Sequence, residues 1–85
     1  MEKEVQEILE QINQNEKIAN KVNLKAVEVA EVLGCSQSAL NYWRGAGLGP
    51  QYVKVPGTNG AKTQRVLYPK LSLARWLAQN MVKTA

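Results

Sequence analysis

The sequence lacks histidine and aspartate, and Cys35 is its only cysteine. Zinc sites are built from clusters of cysteine and histidine, and most general bases and catalytic triads need histidine or aspartate. A lone cysteine also excludes a disulfide within the chain. We therefore expect a protein that is not an enzyme and that has no catalytic residues, no metal site and no cofactor.

Long apolar runs are absent as well. No stretch approaches the roughly 18 apolar residues of a membrane-spanning helix, and Met1 leads straight into charged residues rather than into a signal peptide. We therefore expect a cytoplasmic protein with no membrane partner. The 85 residues, of which 45% are hydrophobic, can build one small domain with a modest core.

Charge is distributed unevenly along the chain, whose net charge is +4. Residues 1–21 hold five glutamates and three lysines, whereas residues 22–85 hold two glutamates and eight basic residues. A basic body is the first requirement of a nucleic-acid-binding protein. A basic surface that serves only solubility is the plain alternative, because charge alone does not separate the two.

Residues 2–21 have the pattern of an amphipathic helix, with a break near residues 13–17. Apolar residues recur at spacings of three and four, and Ile18 and Val22 extend this stripe beyond the break. The stripe either packs on the chain's own core or forms a homo-oligomer contact. Its main members are Val5, Ile8, Leu9 and Ile12. We divide the chain into an N-terminal helical segment, 1–22, and a main domain, 23–85.

Two short helices joined by a turn are predicted next. Asn23 is a suitable N-cap for a helix over 24–33, and Ser36 is one for a helix over 37–44. Gly34 lies between them, where a residue without a Cβ enters a tight turn without strain. The side chains expected to fill the angle between these helices are Val29, Ala30, Leu33, Cys35, Leu40 and Trp43.

A two-stranded ribbon and a last helix complete the pattern. Segments 51–55 and 64–68 alternate as strands do, and Asn59-Gly60 favours a tight hairpin turn. This turn would pair Lys54 with Arg65 and Val53 with Val66, giving one basic and one apolar face. Opposed like charges destabilise a ribbon, and an anion there would relieve the repulsion. Pro69 can begin the last helix as its first residue, with a buried stripe of Leu73, Trp76, Leu77 and Met81.

The segments "VAEVLGCSQSALNYW", "GPQYVKV" and "RVLYPKLSLARWL" follow one another in the order helix-turn-helix, strand, strand and helix. In this order they resemble the MerR-like winged helix of excisionases and AlpA-type regulators from phages and mobile elements, over residues 24–79. The sequence departs from this family at Lys25, where serine or threonine is common, and in a longer wing tip, 56–64. The resemblance implies a mainly α fold with a small β-hairpin, that is, a winged helix-turn-helix preceded by an N-terminal amphipathic helix.

The resemblance also implies which residues contact DNA, since the second helix of the motif is presented to the major groove. With Leu40 and Trp43 inward, the opposite face of this helix points outward, and amide side chains there can read adenine. The predicted recognition residues are Ser36, Gln37, Ser38, Asn41, Tyr42 and Arg44, the last better placed for phosphate. The predicted wing residues, expected at the minor groove or its backbone, are Lys54, Lys62, Thr63 and Arg65. Lys70 and Arg75 are further candidates, and any one of these could instead be an ordinary solvated side chain.

Three side chains have a second interpretation. Cys35 could be a redox sensor, but a small residue at this position is expected to pack, and buried thiols are inert. Trp43 and Trp76 could stack on bases, but their helical spacing with neighbouring leucines favours the core.

The function most consistent with these features is sequence-specific binding of double-stranded DNA. The family resemblance implies an excisionase-type recombination directionality factor, which bends DNA near an attachment site and biases an integrase, in the bacterial cytoplasm and nucleoid. The alternatives are a transcriptional regulator of a phage or mobile element, with the first helix as its dimerisation element, and the DNA-recognition module of a phage packaging complex. A protein-interaction module that uses the Val5–Ile12 stripe is the alternative without DNA.

Overall fold

The described part of the computed structural model, residues 2–57 and 65–81, contains four helices and one three-stranded antiparallel sheet of order β1-β3-β2. The helices are α1 (Glu2–Ile12), α2 (Ala26–Leu33), α3 (Gln37–Gly45) and α4 (Lys70–Gln79). The strands are β1 (Asn23–Lys25), β2 (Val53–Val55) and β3 (Arg65–Pro69). A mainly α class with a small β component is therefore confirmed. Within these residues, no helix has both the length and the hydropathy to cross a bilayer.

The first helix is shorter than predicted. α1 ends at Ile12, and residues 13–20 form turns instead of continuing to residue 21. Asn15 accounts for part of this, because its side-chain oxygen accepts a hydrogen bond from the Lys17 backbone N–H at 3.0 Å and so competes with the helical pattern. Ile18 is still buried, but Val22 is 76% exposed, so the extension of the stripe to Val22 is wrong.

The apolar stripe of α1 packs within the chain. α1 contacts α4, and Val5 and Ile12 belong to the same buried cluster as Leu73. Ile8 and Leu9 are half-buried against that cluster. This packing agrees with the first of the two alternatives for the stripe. Self-association stays a prediction, and it would have to use the exposed parts of Ile8 and Leu9.

A strand precedes α2, where the sequence pattern predicted only helix. Asn23–Lys25 pairs with β3, so that Leu24 lies opposite Tyr68, and both side chains are buried. The helix predicted over 24–33 therefore begins at Ala26, and its N-cap is Lys25 rather than Asn23. The reason is tertiary: β3 supplies the hydrogen-bond partners that draw residues 23–25 into the sheet.

Glu28 stabilises the start of α2. Its Oε1 accepts a hydrogen bond from the Lys25 backbone N–H at 2.9 Å, and its Oε2 accepts one from the Lys21 ammonium. The Lys21 hydrogen bond, followed by that from Lys25, lowers the pKa of Glu28 below its usual value. A lowered pKa means that these contacts add stability above the unfolded-state pKa and lose it as the pH falls through the folded-state value.

The turn between α2 and α3 matches the prediction. Gly34 has φ 71°, and the Ser36 side-chain oxygen accepts a hydrogen bond from the Ala39 backbone N–H at 3.1 Å, which caps α3. Val29 of α2 and Leu40 of α3 are buried, while Cys35 is half-buried against the core. The burial of these side chains agrees with the packing interpretation of Cys35.

Replacing Gly34 with alanine should destabilise the protein by about 1 kcal/mol, because an L-residue pays a steric penalty at positive φ. Nothing lies within 4 Å of an added Cβ, so backbone strain is the only cause. Gly45→Ala is the matched control: Gly45 is helical, its Cβ would also meet open space, and alanine there should stabilise α3 by roughly 0.5 kcal/mol. Urea unfolding of both variants measures the difference, and equal midpoints would contradict this assignment.

The register of the ribbon differs from the prediction by one residue. Lys54 pairs with Val66 and Val55 with Arg65, so Lys54 and Arg65 are not opposite each other. Because successive side chains point to opposite faces, these two cations lie on different faces of the ribbon. The predicted basic face and apolar face are therefore wrong. The predicted turn at Asn59-Gly60 lies outside the described residues.

The last strand and helix also depart from the pattern in detail. Pro69 ends β3 and serves as the N-cap of α4, not as its first residue. Leu73 is fully buried, but Met81 is 56% exposed, so its predicted place in the buried stripe is wrong. Val53, predicted on an apolar face of the ribbon, is 41% exposed. β2 begins at Val53, two residues later than the strand predicted over 51–55. β3 ends at Pro69, one residue later than the strand predicted over 64–68.

Candidate nucleic-acid interface

The exposed face of α3 carries the side chains that helical periodicity places opposite the inward-facing Leu40. Leu40 points inward with 1% exposure, and the opposite face is polar and open to solvent. Tyr42 is 71% exposed. The exposed predicted recognition residues are Ser36, Gln37, Ser38, Asn41 and Tyr42. This face offers hydroxyl and amide groups, which can hydrogen-bond to base edges or phosphates.

Arg44, at the end of the same helix, is half-buried and held on two sides. Its Nη1 donates a hydrogen bond to Asn41 Oδ1 at 3.0 Å, and its guanidinium carbon lies 5.9 Å from the centre of the Tyr52 ring. Tyr52 in turn contacts the buried Tyr68, with ring centres 6.0 Å apart. The guanidinium is thus connected through an aromatic pair to the core of the sheet.

Tyr52 is a residue that sequence reasoning did not assign to the site. It lies within the "GPQYVKV" segment that carries the family resemblance, directly before β2. Its position in this segment was the only feature of the sequence that could have assigned Tyr52 to the site, because a single aromatic residue before a strand forms no distinctive pattern. Its contact with Arg44 brings the end of α3 next to the start of the ribbon.

The loop between α3 and β2 folds back on α3. Leu48 donates its backbone N–H to the Trp43 carbonyl at 2.7 Å, and Gly49, with φ 83°, lies so close that an added Cβ would be 3.3 Å from Trp43 Cβ. An open groove lined by this loop, Arg44 and Tyr52 results. The ring of Trp43 contacts the ring of Trp76 of α4, with ring centres 6.1 Å apart and the planes tilted by 37°. Trp43 is half-buried against the core, as predicted, whereas Trp76 is half-buried and is not among the side chains packed on the core cluster.

The predicted wing residues are only partly described. Lys54 and Arg65 are exposed, and they lie on opposite faces of the ribbon. Lys54 shares its face with Val66 and the buried Tyr68. Lys62 and Thr63 lie outside the described residues.

Lys70 does not belong to this surface. It is 7% exposed, and its Nζ donates to Asn13 Oδ1 at 2.7 Å, to the Ile18 carbonyl at 2.8 Å and to the Ala19 carbonyl at 3.3 Å. All three ammonium donors are therefore used inside the protein. Its candidacy as a DNA contact is wrong, whereas Arg75 is exposed on α4.

The charged side chains of residues 32–85 are all basic. Glu31 is the last acidic residue in the sequence, and every charged side chain after it is basic. These side chains are Arg44, Lys54, Lys62, Arg65, Lys70, Arg75 and Lys83. α3, both strands of the ribbon and α4 are thus free of carboxylate side chains that would repel phosphate. In the part of the chain that the structure describes, no group of three or more His, Cys, Asp or Glu could hold a metal ion.

Comparison with family models, with curated proteins and with solved structures found no match to this chain.

Proposed function

We propose that this protein is a winged helix-turn-helix that binds double-stranded DNA sequence-specifically. In this proposal α2 and α3 are the helix-turn-helix, α3 enters the major groove, and the ribbon of β2 and β3 is the wing. The protein acts as an excisionase-type recombination directionality factor, which binds and bends DNA near an attachment site and biases an integrase toward excision.

One observation carries the proposal: the polar face of α3 is exposed and ends at Arg44, and no acidic side chain follows Glu31 in the sequence. Asn41 and Tyr42 project from a helix whose other face is anchored by the buried Leu40. The contact between Arg44 and Tyr52 supports the same arrangement, since it joins the end of α3 to the base of the ribbon. A rigid helix with an exposed amide face and basic neighbours is what reading base edges requires.

The packing of α1 favours the excision role over that of a dimeric regulator. A regulator that binds a palindrome needs two copies of its recognition helix related by two-fold symmetry. The stripe that could supply the dimer contact is largely used within the chain, because Val5 and Ile12 are buried. A monomer fits direct repeats, which a directionality factor binds side by side.

The first test compares wing and recognition-helix variants on specific and random duplexes at several salt concentrations. Lys54→Ala and Arg65→Ala should weaken binding to all duplexes alike and reduce the salt slope by about one unit, since each removes one phosphate contact. Gln37→Ala and Asn41→Ala should instead cost roughly 1–3 kcal/mol on the specific duplex only, because they remove base contacts. The specific duplex is obtained by selection from a randomised library.

Lys3→Ala is the matched control, because Lys3 is exposed on α1, which packs mainly on α4 and is not part of the proposed interface. It should leave both the affinity and the salt slope unchanged. This mode of binding would be contradicted if Lys54→Ala and Arg65→Ala kept full affinity for DNA while Gln37→Ala and Asn41→Ala still distinguished the specific duplex from random duplexes as well as the wild type does.

Protection mapping on the neighbouring genome separates the two roles. Direct repeats beside an attachment site support excision, and one palindrome over a promoter supports regulation.

A further inference from the structure

Leu48, in the loop between α3 and β2, is an apolar side chain that the core does not use. It is 59% exposed, and it is not among the side chains packed against the buried cluster. Its backbone N–H donates to the Trp43 carbonyl at 2.7 Å, so the loop folds back along α3 while the Leu48 side chain stays in solvent. A single exposed leucine is ordinary, but the side chains around this one are also apolar.

Leu48 belongs to a larger surface that crosses α3, this loop and α4. Three adjoining grooves share Gly49, and one of them is lined by Leu48 and by the two half-buried indole rings. Each of the other two contains one guanidinium group. We call this surface the tryptophan groove, and its main side chains are Trp43, Leu48, Trp76, Arg44 and Arg75.

The tryptophan groove carries positive charge that is not neutralised within the described part of the chain. Among these residues, neither Arg44 nor Arg75 forms an ion pair, and no carboxylate lines any of the three grooves. The contacts of Arg44 are with neutral groups, the Asn41 amide and the Tyr52 ring. A carboxylate that approached either arginine would therefore find a guanidinium group able to form charge-assisted hydrogen bonds.

The composition of the tryptophan groove fits a protein partner better than DNA. Tryptophan and arginine are among the residues that most often dominate the binding energy of protein–protein interfaces. Duplex DNA could supply phosphates to the arginines, but the faces of its bases are stacked inside the helix, away from the leucine and the indole rings. A second copy of this chain fits less well, because the apolar stripe of α1, whose glutamates could supply the charge, already packs on α4.

We propose that the tryptophan groove binds an acidic segment of another protein. A large apolar side chain of that segment packs against Leu48 and the indole rings, and its carboxylates lie beside Arg44 and Arg75. The side-chain amides of Gln51 and Gln79, which are exposed at the edge of the groove, can bond to the backbone of the segment. The proposal does not rest on DNA binding, although Arg44 borders both surfaces.

The test is selection of peptides from a displayed library of random 12-residue sequences by the full-length protein, without DNA. The selected peptides should be rich in aspartate and glutamate beside leucine or phenylalanine. A synthetic selected peptide that lacks tryptophan is then titrated into the protein. Because Trp43 and Trp76 are the only tryptophans in the chain, their fluorescence reports on this groove, and it should shift to shorter wavelength as the peptide excludes water.

Single variants then locate the peptide. Leu48→Ser should weaken its binding about tenfold, because it removes the apolar contact. Arg75→Gln should weaken it roughly fivefold and make it less sensitive to salt. The matched controls are Val22→Ser, an apolar side chain that is 76% exposed elsewhere, and Arg65→Gln, an exposed cation that does not line the grooves. Both should bind the peptide as the wild type does, and thermal melting checks that every variant is folded.

Four outcomes would overturn the proposal. If no peptide is enriched, or the enriched peptides have no excess of acidic residues, the groove does not bind an acidic segment. If Leu48→Ser keeps full affinity, the peptide binds elsewhere. If the protein alone sediments as a dimer and Leu48→Ser makes it a monomer, the groove is a contact between copies. If Leu48→Ser weakens binding of duplex DNA as much as that of the peptide, the groove belongs to the DNA interface. Absence of DNA binding by the wild type refutes only the proposed function, since peptide selection uses no DNA.

Discussion

Replacing Tyr68 with alanine is expected to lower the free energy of unfolding by about 4 kcal/mol, as truncations of large aromatic side chains in cores do. Tyr68 is 1% exposed in the central strand β3, where it lies opposite the buried Leu24 and contacts Tyr52. The truncation removes the largest of the fully buried side chains among the described residues. Urea or thermal unfolding measures the effect.

Tyr68→Phe is the matched control, because it keeps the ring and removes only the hydroxyl. That hydroxyl is buried and has no hydrogen-bond partner among the described residues. A buried hydroxyl without a partner contributes nothing favourable, so phenylalanine should be neutral or more stable by roughly 1 kcal/mol. A loss of stability in Tyr68→Phe that matches that of Tyr68→Ala would mean that the hydroxyl, and not the ring, stabilises the fold.

Replacing Lys70 with methionine should destabilise the protein by about 3 kcal/mol, because it leaves one buried and two partly buried acceptors without their donor. The ammonium satisfies the side-chain oxygen of Asn13 and the carbonyls of Ile18 and Ala19, which lie in the turns after α1. These bonds outweigh an unfavourable position, since a cation in the first turn of α4 opposes the helix dipole by about 0.5 kcal/mol. Lys70 therefore joins α4 to the N-terminal segment.

Lys54→Met is the control for this effect. Lys54 is exposed and forms no hydrogen bond to another described residue, so its loss should change stability by less than about 0.5 kcal/mol. Hydrogen exchange in Lys70→Met should rise first in α1 and the turns, which lose their connection to α4. Unchanged stability in Lys70→Met would show that the turns are held by the burial of Ile18 alone.

The segment from the turn at Gly34 through α3 is the part of the fold that the sequence predicts best. Its boundaries depend on local chemistry: Ser36 caps α3, and Gly34 adopts the positive φ that the turn requires. Helical periodicity predicts that Leu40 faces the core and that Gln37 and Asn41 face solvent, and the structure has them so. These features involve residues within one turn of each other, so a single sequence contains all the information they need.

The sheet was predicted less well because its pairing is not local. β1 exists because β3, more than 40 residues away, offers hydrogen bonds to Asn23–Lys25, and nothing within those three residues marks them as a strand. The register of β2 and β3 was misassigned by one residue, and such a slip transfers every side chain to the other face. This is why the paired basic face of Lys54 and Arg65 does not form.

The sequence by itself determined that this is a small chain with a basic second half, without the histidine and aspartate that most catalytic sites use, and with a turn at Gly34 followed by a helix that Ser36 caps. Composition, capping and periodicity are properties of neighbouring residues and need no fold to act. Only the tertiary structure decided that Lys70 is buried, that the α1 stripe packs on α4, and that the Arg44 guanidinium lies 5.9 Å from the centre of the Tyr52 ring. Burial of a charge and packing of one helix on another depend on which distant segments meet, and that is determined by the packing of the whole chain around one core.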